Sequence, residues 1–307
     1  RAAGDYGIDK GLAFTRPVKK LKDKVAVIGS GPSGLSCAYQ LSRLGYGVTV
    51  YESEARPGGM LSYAIPRYRL PEGVVEAEIK RIVELGVTIK LGVAVGKDVL
   101  LDKLKKEFKA VYVAPGAQNS TALGISGEEG NVCSGLAFLR SVKENKPLVL
   151  GRRVVVIGGG NTALDAARTA RRMGSDVTIL YRRTLSEMPA HKEEVEAAFE
   201  EGVKIDFLCS PVAAEKNGRG RLTCLKMEPG PADASGRPGP VPVKGSEFDV
   251  DFDTIIAAVG QGLRAEGFEH LLGSPWLGAD ALGATNEEGI FAGGDAATGP
   301  GMISEAI

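Results

Sequence analysis

Apolar residues run unbroken through positions 25–28 ("VAVI"), and a glycine-rich turn follows at once. From there to about Leu44 apolar positions recur at helical spacing, and a second strand-like run, "VTVY", stands at 48–51. Short runs bounded by turn residues predict buried strands, and the periodicity between them predicts a helix. Together they predict a β-α-β unit.

The pattern returns further along as "RVVVIGGGNTALDAARTARRMGSDVTILYRR". At one constant offset Gly29 falls on Gly158, Gly31 on Gly160, Gly45 on Gly174 and Val48 on Val177. An internal repeat this close predicts two dinucleotide-binding folds in one chain. Between and after the units, "EGVVEAEIKRIVELGVTIKLGVAV" predicts a helix then a strand. "FKAVYVAPGAQNS" and "DFDTIIAAVGQG" each predict a buried strand ending in a glycine-containing turn. "SEMPAHKEEVEAAFEEGVKIDFLCSPV" predicts a loop, a charged-faced helix and a strand. "EKNGRGRL" and "PGPADASGRPGPVPV" are expected to be turns or surface loop. The final segment predicts a strand at 290–292 running into Gly293-Gly294-Asp295, with a helix starting near Gly301-Met302.

The first turn reads Gly29-x-Gly31-x-x-Gly34. Gly29 permits the tight turn, Gly31 lets backbone approach a pyrophosphate, and Gly34 lets helix pack on strand. Free amides at the helix start bind phosphate. Glu52, at the end of the second strand, stands where an acid accepts hydrogen bonds from ribose hydroxyls. In the second copy the third glycine is Ala163, Glu52 falls on Tyr181, and Arg182 and Arg183 follow. A carboxylate suits free ribose hydroxyls. A 2′-phosphate, with about two negative charges, is repelled by it and gripped by an arginine fork. The second site is therefore expected to prefer NADPH over NADH. Gly58-Gly59 would let backbone approach something flat, and Asp295 could accept from a polyol chain. The amides near Met302 would face an electron-rich ring. Taken with the first unit, these features point to FAD.

Length and composition narrow the setting. A chain of 307 residues is more than one core usually fills. Hydrophobic content of 43% is ordinary for a globular protein, and equal basic and acidic counts of 38 give no field for nucleic acid or an anionic membrane. No apolar run approaches the roughly 20 residues of a membrane span. Cys37, Cys133, Cys209 and Cys224 include no Cys-x-x-Cys pair. That weighs against a disulfide framework, a zinc site and a redox dithiol, and favours reduced thiols in a cytoplasmic protein. The chain opens without methionine and stops at "GMISEAI", which reads as a piece of a longer polypeptide.

The motifs "GSGPSG" with "VYE", "PGGML…IPRYRLP", "VYVAPGA", "GGGNTALDAARTARRMG" with "YRR", "EMPA" and "FAGGDAATGPGMISEAI" cover nearly the whole chain. With them the chain resembles the glutamate synthase small-subunit-like group of flavoprotein pyridine-nucleotide oxidoreductases. Adrenodoxin reductase and the flavin domains of dihydropyrimidine dehydrogenase are related to that group. The resemblance implies an α/β fold with two Rossmann-like domains. A helical connector would cover 1–22, a discontinuous FAD domain 23–117 and 260–307, and an inserted NADPH domain 118–259. Gly29, Ser30, Gly31, Pro32, Ser33 and Gly34 would hold the FAD pyrophosphate and Glu52 the adenosine ribose. Gly58, Gly59 and Met60 would lie along the flavin, with Gly116 in the neighbouring turn. Gly294 and Asp295 would sit at the ribityl chain, and Met302 would offer its amide to the ring. Gly158, Gly159, Gly160, Asn161 and Thr162 would cradle the NADPH pyrophosphate.

The chain departs from the group at Pro115, where the strand-end "ATGA" becomes "APGA", and at Ala64, where glycine is frequent. Neither change removes a charged contact. The iron–sulfur domain that often precedes such chains is not in the sequence, though "RAAGDYGIDKGL" resembles the connector from it. The expected activity is hydride transfer from NADPH to FAD, with electrons leaving to an iron–sulfur domain or partner subunit. The cofactors carry that chemistry, so no catalytic acid or base is nominated. His191 reads as a surface residue, and Glu187 as a loop or cap residue, with a role in shaping the nicotinamide pocket as the alternative. The alternative reading is a non-catalytic NADP(H)-sensing or FAD-scaffold module.

Overall fold

The computed structural model describes residues 2–217, 219–233 and 236–307. The chain divides into two compact units, Arg1–Asn119 with Gln261–Ile307, and Ser120–Gly260. In chain order the first unit contributes α1 (Ala2–Asp9), β1 (Lys24–Ile28), α2 (Pro32–Arg43), β2 (Gly47–Glu52), α3 (Met60–Tyr63), α4 (Glu72–Val83), β3 (Thr88–Leu91), α5 (Leu101–Glu107) and β4 (Ala110–Val113). The second contributes β5 (Val132–Ser134), α6 (Gly135–Lys143), β6 (Arg153–Ile157), α7 (Asn161–Arg172), β7 (Asp176–Tyr181), α8 (Lys192–Glu200), β8 (Lys204–Phe207), β9 (Cys209–Asn217), β10 (Arg219–Ala232), β11 (Pro238–Pro242), β12 (Phe248–Phe252) and β13 (Thr254–Ala257). The chain then returns to the first unit with β14 (Ile290–Ala292) and α9 (Asp295–Thr298).

Each unit is built on a five-stranded parallel sheet. The orders are β14-β4-β1-β2-β3 and β5-β13-β6-β7-β8. The strand before each glycine turn is central. Ile28 pairs with Tyr51 on one side and Val113 on the other, and Ile157 pairs with Leu180 and Ala257 in the same way. Both central strands are buried over four consecutive residues, as the apolar runs require of a sheet covered on both faces. In each sheet the chain reverses direction beside the central strand, at the carboxyl ends where such folds bind ligands. Val27, Ala38, Val48 and Val50 form one core of the first unit. Val156, Ala163, Leu164, Ala167 and Ile179 belong to the core of the second.

The segments expected to be loop after β8 are mostly strand. β9 and β10 form a long antiparallel hairpin, and β11 and β12 both pair with β10. Pro229 and Pro240 stand opposite each other in the ribbon, which has few central ladder bonds for a proline to remove. The expected turn at "EKNGRGRL" includes Gly218, and the expected loop at "PGPADASGRPGPVPV" includes Ala234 and Ser235; these three lie outside the described residues. At the chain's last residues the expected helix is a single turn, with Glu305 and Ala306 donating to Met302 O. A first turn orders several residues for one hydrogen bond, so one turn alone is unfavourable. At the borders of the second unit, the Thr121 amide donates to the Gly260 carbonyl at 3.1 Å.

Candidate nucleotide-binding sites

In the first unit the glycine turn is pinned from both sides. The Gly29 amide donates to Tyr51 O and the Ala114 amide to Ile28 O, each at 2.8 Å. Gly29 has φ +94°. A Cβ there would overlap the Ala114 carbonyl, so the turn excludes every other residue. Gly34 presses on Gly29, which brings the start of α2 directly over the turn. No side chain caps α2, so its leading amides face outward. A Cβ on Gly31 would meet nothing within 4 Å, which marks open space over those amides.

Two other segments converge on the turn. The Gly58 amide donates to Ser30 O at 3.0 Å and to Ser30 Oγ at 3.1 Å. A Cβ on Gly59 would stand 2.9 Å from Gly31 Cα, and one on Gly294 2.7 Å from Ser33 Cβ. Sequence reading thus named three segments that the fold does bring together. Met60 opens α3 beside them, and Gly116, at φ +75°, stands open after Pro115. Asp295 is half-buried at the start of α9. Burial pushes its carboxyl up, the Gly301 amide opposes this, and Glu305 adds to the rise. Met302 is exposed, and its amide donates to Glu305 Oε2 at 2.6 Å.

Glu52 is 5% exposed. Its Oε2 accepts from the Ser30 amide at 2.9 Å and Ser30 Oγ at 2.5 Å. Its Oε1 accepts from the Glu54 amide at 2.8 Å. The carboxylate therefore ties the strand end to the phosphate turn, a tether the sequence did not reveal. A second unforeseen contact joins Ser33 Oγ and the Tyr112 hydroxyl at 2.8 Å. Burial is the main reason the Tyr112 hydroxyl is pushed up.

The second unit repeats the geometry. Gly158 has φ +133°, its amide donates to Leu180 O at 3.1 Å, and a Cβ would overlap the Ala258 carbonyl. Ala163, in place of the third glycine, is fully buried. Helix α7 carries no side-chain cap, and the space at Gly160 is open but for Pro189 at 4.0 Å. Tyr181 takes the place of Glu52, and its ring walls Gly159, where a Cβ would lie 2.5 Å from Cε2.

The "EMPA" loop lies against this turn. Tyr181 Oη donates to Glu187 O at 2.8 Å, the Ala190 amide to Gly159 O at 3.2 Å, and the His191 amide to Asn161 Oδ1 at 3.1 Å. Thr162 follows Asn161 in the first turn of α7. Hydrogen bonds from Ser186 and Thr184 hold the Glu187 carboxyl below its usual range, with the charge of Arg183 adding to them. Arg182 is exposed, whereas Arg183 is buried and pairs with Asp233.

In both units uncapped amides, an open glycine and a narrow turn fit a pyrophosphate. Half-buried Asp295 beside the first turn fits a hydroxylated chain, so the residues present accommodate dinucleotides. All four cysteines are free. No helix among the described residues is long and apolar enough to cross a membrane.

Comparison with known proteins agrees with this geometry. The chain is 41% identical to the β subunit of the NADP(+)-dependent formate dehydrogenase of Moorella thermoacetica, over 100% of this chain and 44% of that protein. It is 37% identical to the small chain of Escherichia coli glutamate synthase [NADPH], over 94% of this chain and 67% of that protein, which bears out the resemblance read from the motifs. The chain spans about half the length of several curated relatives it matches. The solved structure of Mycobacterium tuberculosis FprA in complex with NADPH shares the fold, with TM-score 0.75 and 20% identity over 95% of this chain and 82% of that one. The sequence profile described as pyridine nucleotide-disulphide oxidoreductase matches residues 23–307, and the chain belongs to that family.

Proposed function

We propose that this chain is the NADPH-oxidising flavoprotein module of a larger electron-transfer protein. FAD is held in the first unit and NADPH in the second, and electrons leave to an iron–sulfur domain or partner subunit. The observation that carries this reading is the doubled nucleotide fold with opposed strand ends. One ends in buried Glu52, and the other in Tyr181 with exposed Arg182 directly after it. The relatives' names support it, since two are subunits named for NADP(+) or NADPH. Such a module works in the cytoplasm.

When both cofactors are bound, the nicotinamide supplies a hydride and the flavin accepts it. The chain's own residues bind and align. The leading amides of α2 and the turn Gly29–Gly34 hold the FAD pyrophosphate, and Glu52 fixes that turn at the ribose. Gly58, Gly59 and Met60 bring backbone close to the ring, and Asp295 accepts from ribityl hydroxyls. The amides of α7, with Asn161 and Thr162, hold the second pyrophosphate, and the "EMPA" loop borders it. Alignment of this kind lowers the barrier without an acid or base. The four free cysteines take no part.

Purified protein should be yellow, and anaerobic NADPH should bleach its visible flavin absorbance. Ferricyanide should then be reduced. Yellow protein that NADPH does not bleach would overturn the reading and favour a sensing or scaffold module. Colourless protein that binds no added FAD would remove the first site.

A further inference from the structure

The two arginines that close the second glycine unit are placed differently. Arg182 is exposed, and among the described residues no carboxylate pairs with it. Arg183 is 6% exposed. Its Nη2 donates to Asp233 Oδ2, and its Nε donates to Pro238 O at 3.0 Å. Both partners belong to the ribbon: Asp233 follows β10, and Pro238 opens β11. The field of Arg183 reaches Glu187 as well.

A guanidinium held this way has two donor directions already used. A 2′-phosphate would have to displace a carboxylate from a nearly water-free cation, where an ion pair holds more firmly than at the surface. Arg182 has no such competitor. We propose that Asp233 is a specificity-determining residue of the second site. By holding Arg183 against the ribbon, it leaves Arg182 as the one uncompensated cation of the pair. It thereby limits how strongly the site prefers a nucleotide bearing a 2′-phosphate. This rests on the reading of the second unit as the NADPH fold.

The probes are adenosine 2′,5′-bisphosphate and adenosine 5′-monophosphate, which differ only in the 2′-phosphate. Their affinities are measured by calorimetry on protein carrying its flavin, at low and high salt. Arg182→Ala should lower the preference for the bisphosphate by about tenfold or more, the effect of one lost charged hydrogen bond. High salt should lower it in the parent protein too, because an exposed cation is screened. Asp233→Asn should raise the preference severalfold, and Arg182→Ala with Asp233→Asn should recover part of what Arg182→Ala loses. A purely structural pair would show no such rescue. Equal changes in both affinities on Asp233→Asn would overturn the proposal. So would a loss of preference in Arg183→Ala as large as that in Arg182→Ala. Should Asp233→Asn fail to fold, the two arginine variants decide: loss of preference in Arg182→Ala with little loss in Arg183→Ala supports the proposal, and retention in Arg182→Ala or an equal loss in both overturns it. Failure of the parent protein to bind either nucleotide would instead overturn the underlying reading of the second unit.

Discussion

Glu52 and Ser30 form a closed tether, in which one carboxylate oxygen accepts from both the Ser30 amide and the Ser30 hydroxyl. In the second unit the matching pair is Tyr181 and Gly159, joined by ring contact instead. Glu52→Ala leaves the Ser30 and Glu54 amides without their acceptor. Unfolding free energy should fall by about 1–3 kcal/mol, the range for a buried group left unsatisfied, and flavin retention should fall with it. Urea midpoints and bound-flavin absorbance test this. An unchanged midpoint with full flavin would refute it.

Gly29→Ala and Gly158→Ala should each destabilise the fold. The left-handed backbone alone costs about 1–3 kcal/mol with a side chain, and the added carbon overlaps a carbonyl. Gly31→Ala is the contrasting case. Its Cβ meets nothing, so thermal unfolding should stay near the parent value while flavin content drops. If all three variants melt alike, the distinction between turn-making and ligand-facing glycines fails.

What the sequence revealed was local. The glycine turns, the buried strands and the repeat all follow from residues a few positions apart. Arg183 and Asp233 lie 50 residues apart, and Asp233 stands in a stretch whose prolines read as loop. The ribbon β9–β12 was hidden for the same reason, because its register comes from cross-strand pairing and not from an apolar alternation. The position of Glu52 at a strand end points to a ribose ligand, and spacing alone cannot tell a ligand from a tether to Ser30. The ring of Tyr181 against Gly159 was likewise invisible until the turn was folded.

Asp253 makes stability depend on acid pH. The Arg153 guanidinium, then the Arg153 amide, hold its carboxyl at about 2, against an ordinary 3.8. A depressed carboxylate stabilises the fold while ionised. Its contribution is complete above the ordinary value and is lost as pH falls toward about 2. Asp253→Asn should therefore lower the urea midpoint at neutral pH, with a gap that narrows below about pH 4. A gap of constant size across that window would show that the charge is not responsible.

The thiols should be inert in the folded protein. Burial pushes Cys37 and Cys224 to about 12 and Cys133 and Cys209 to about 11. Little thiolate exists at pH values near about 8, and thiolate is the reactive form. Iodoacetamide should label the native chain slowly and all four cysteines after denaturation. NADPH-driven dye reduction should survive the native treatment. Rapid native labelling of any one of them, with loss of activity, would return that cysteine to consideration.

The bond between Thr121 and Gly260 closes the second unit on itself, so its entry and exit lie side by side. A segment of this kind can be grafted as a cassette, because joining neighbouring ends adds little closure entropy. On the proposed assignment of the nucleotides, choice of reductant is then separable from the first unit: exchanging residues 120–260 as one block should transfer it from protein to protein, with the first unit's own sequence untouched.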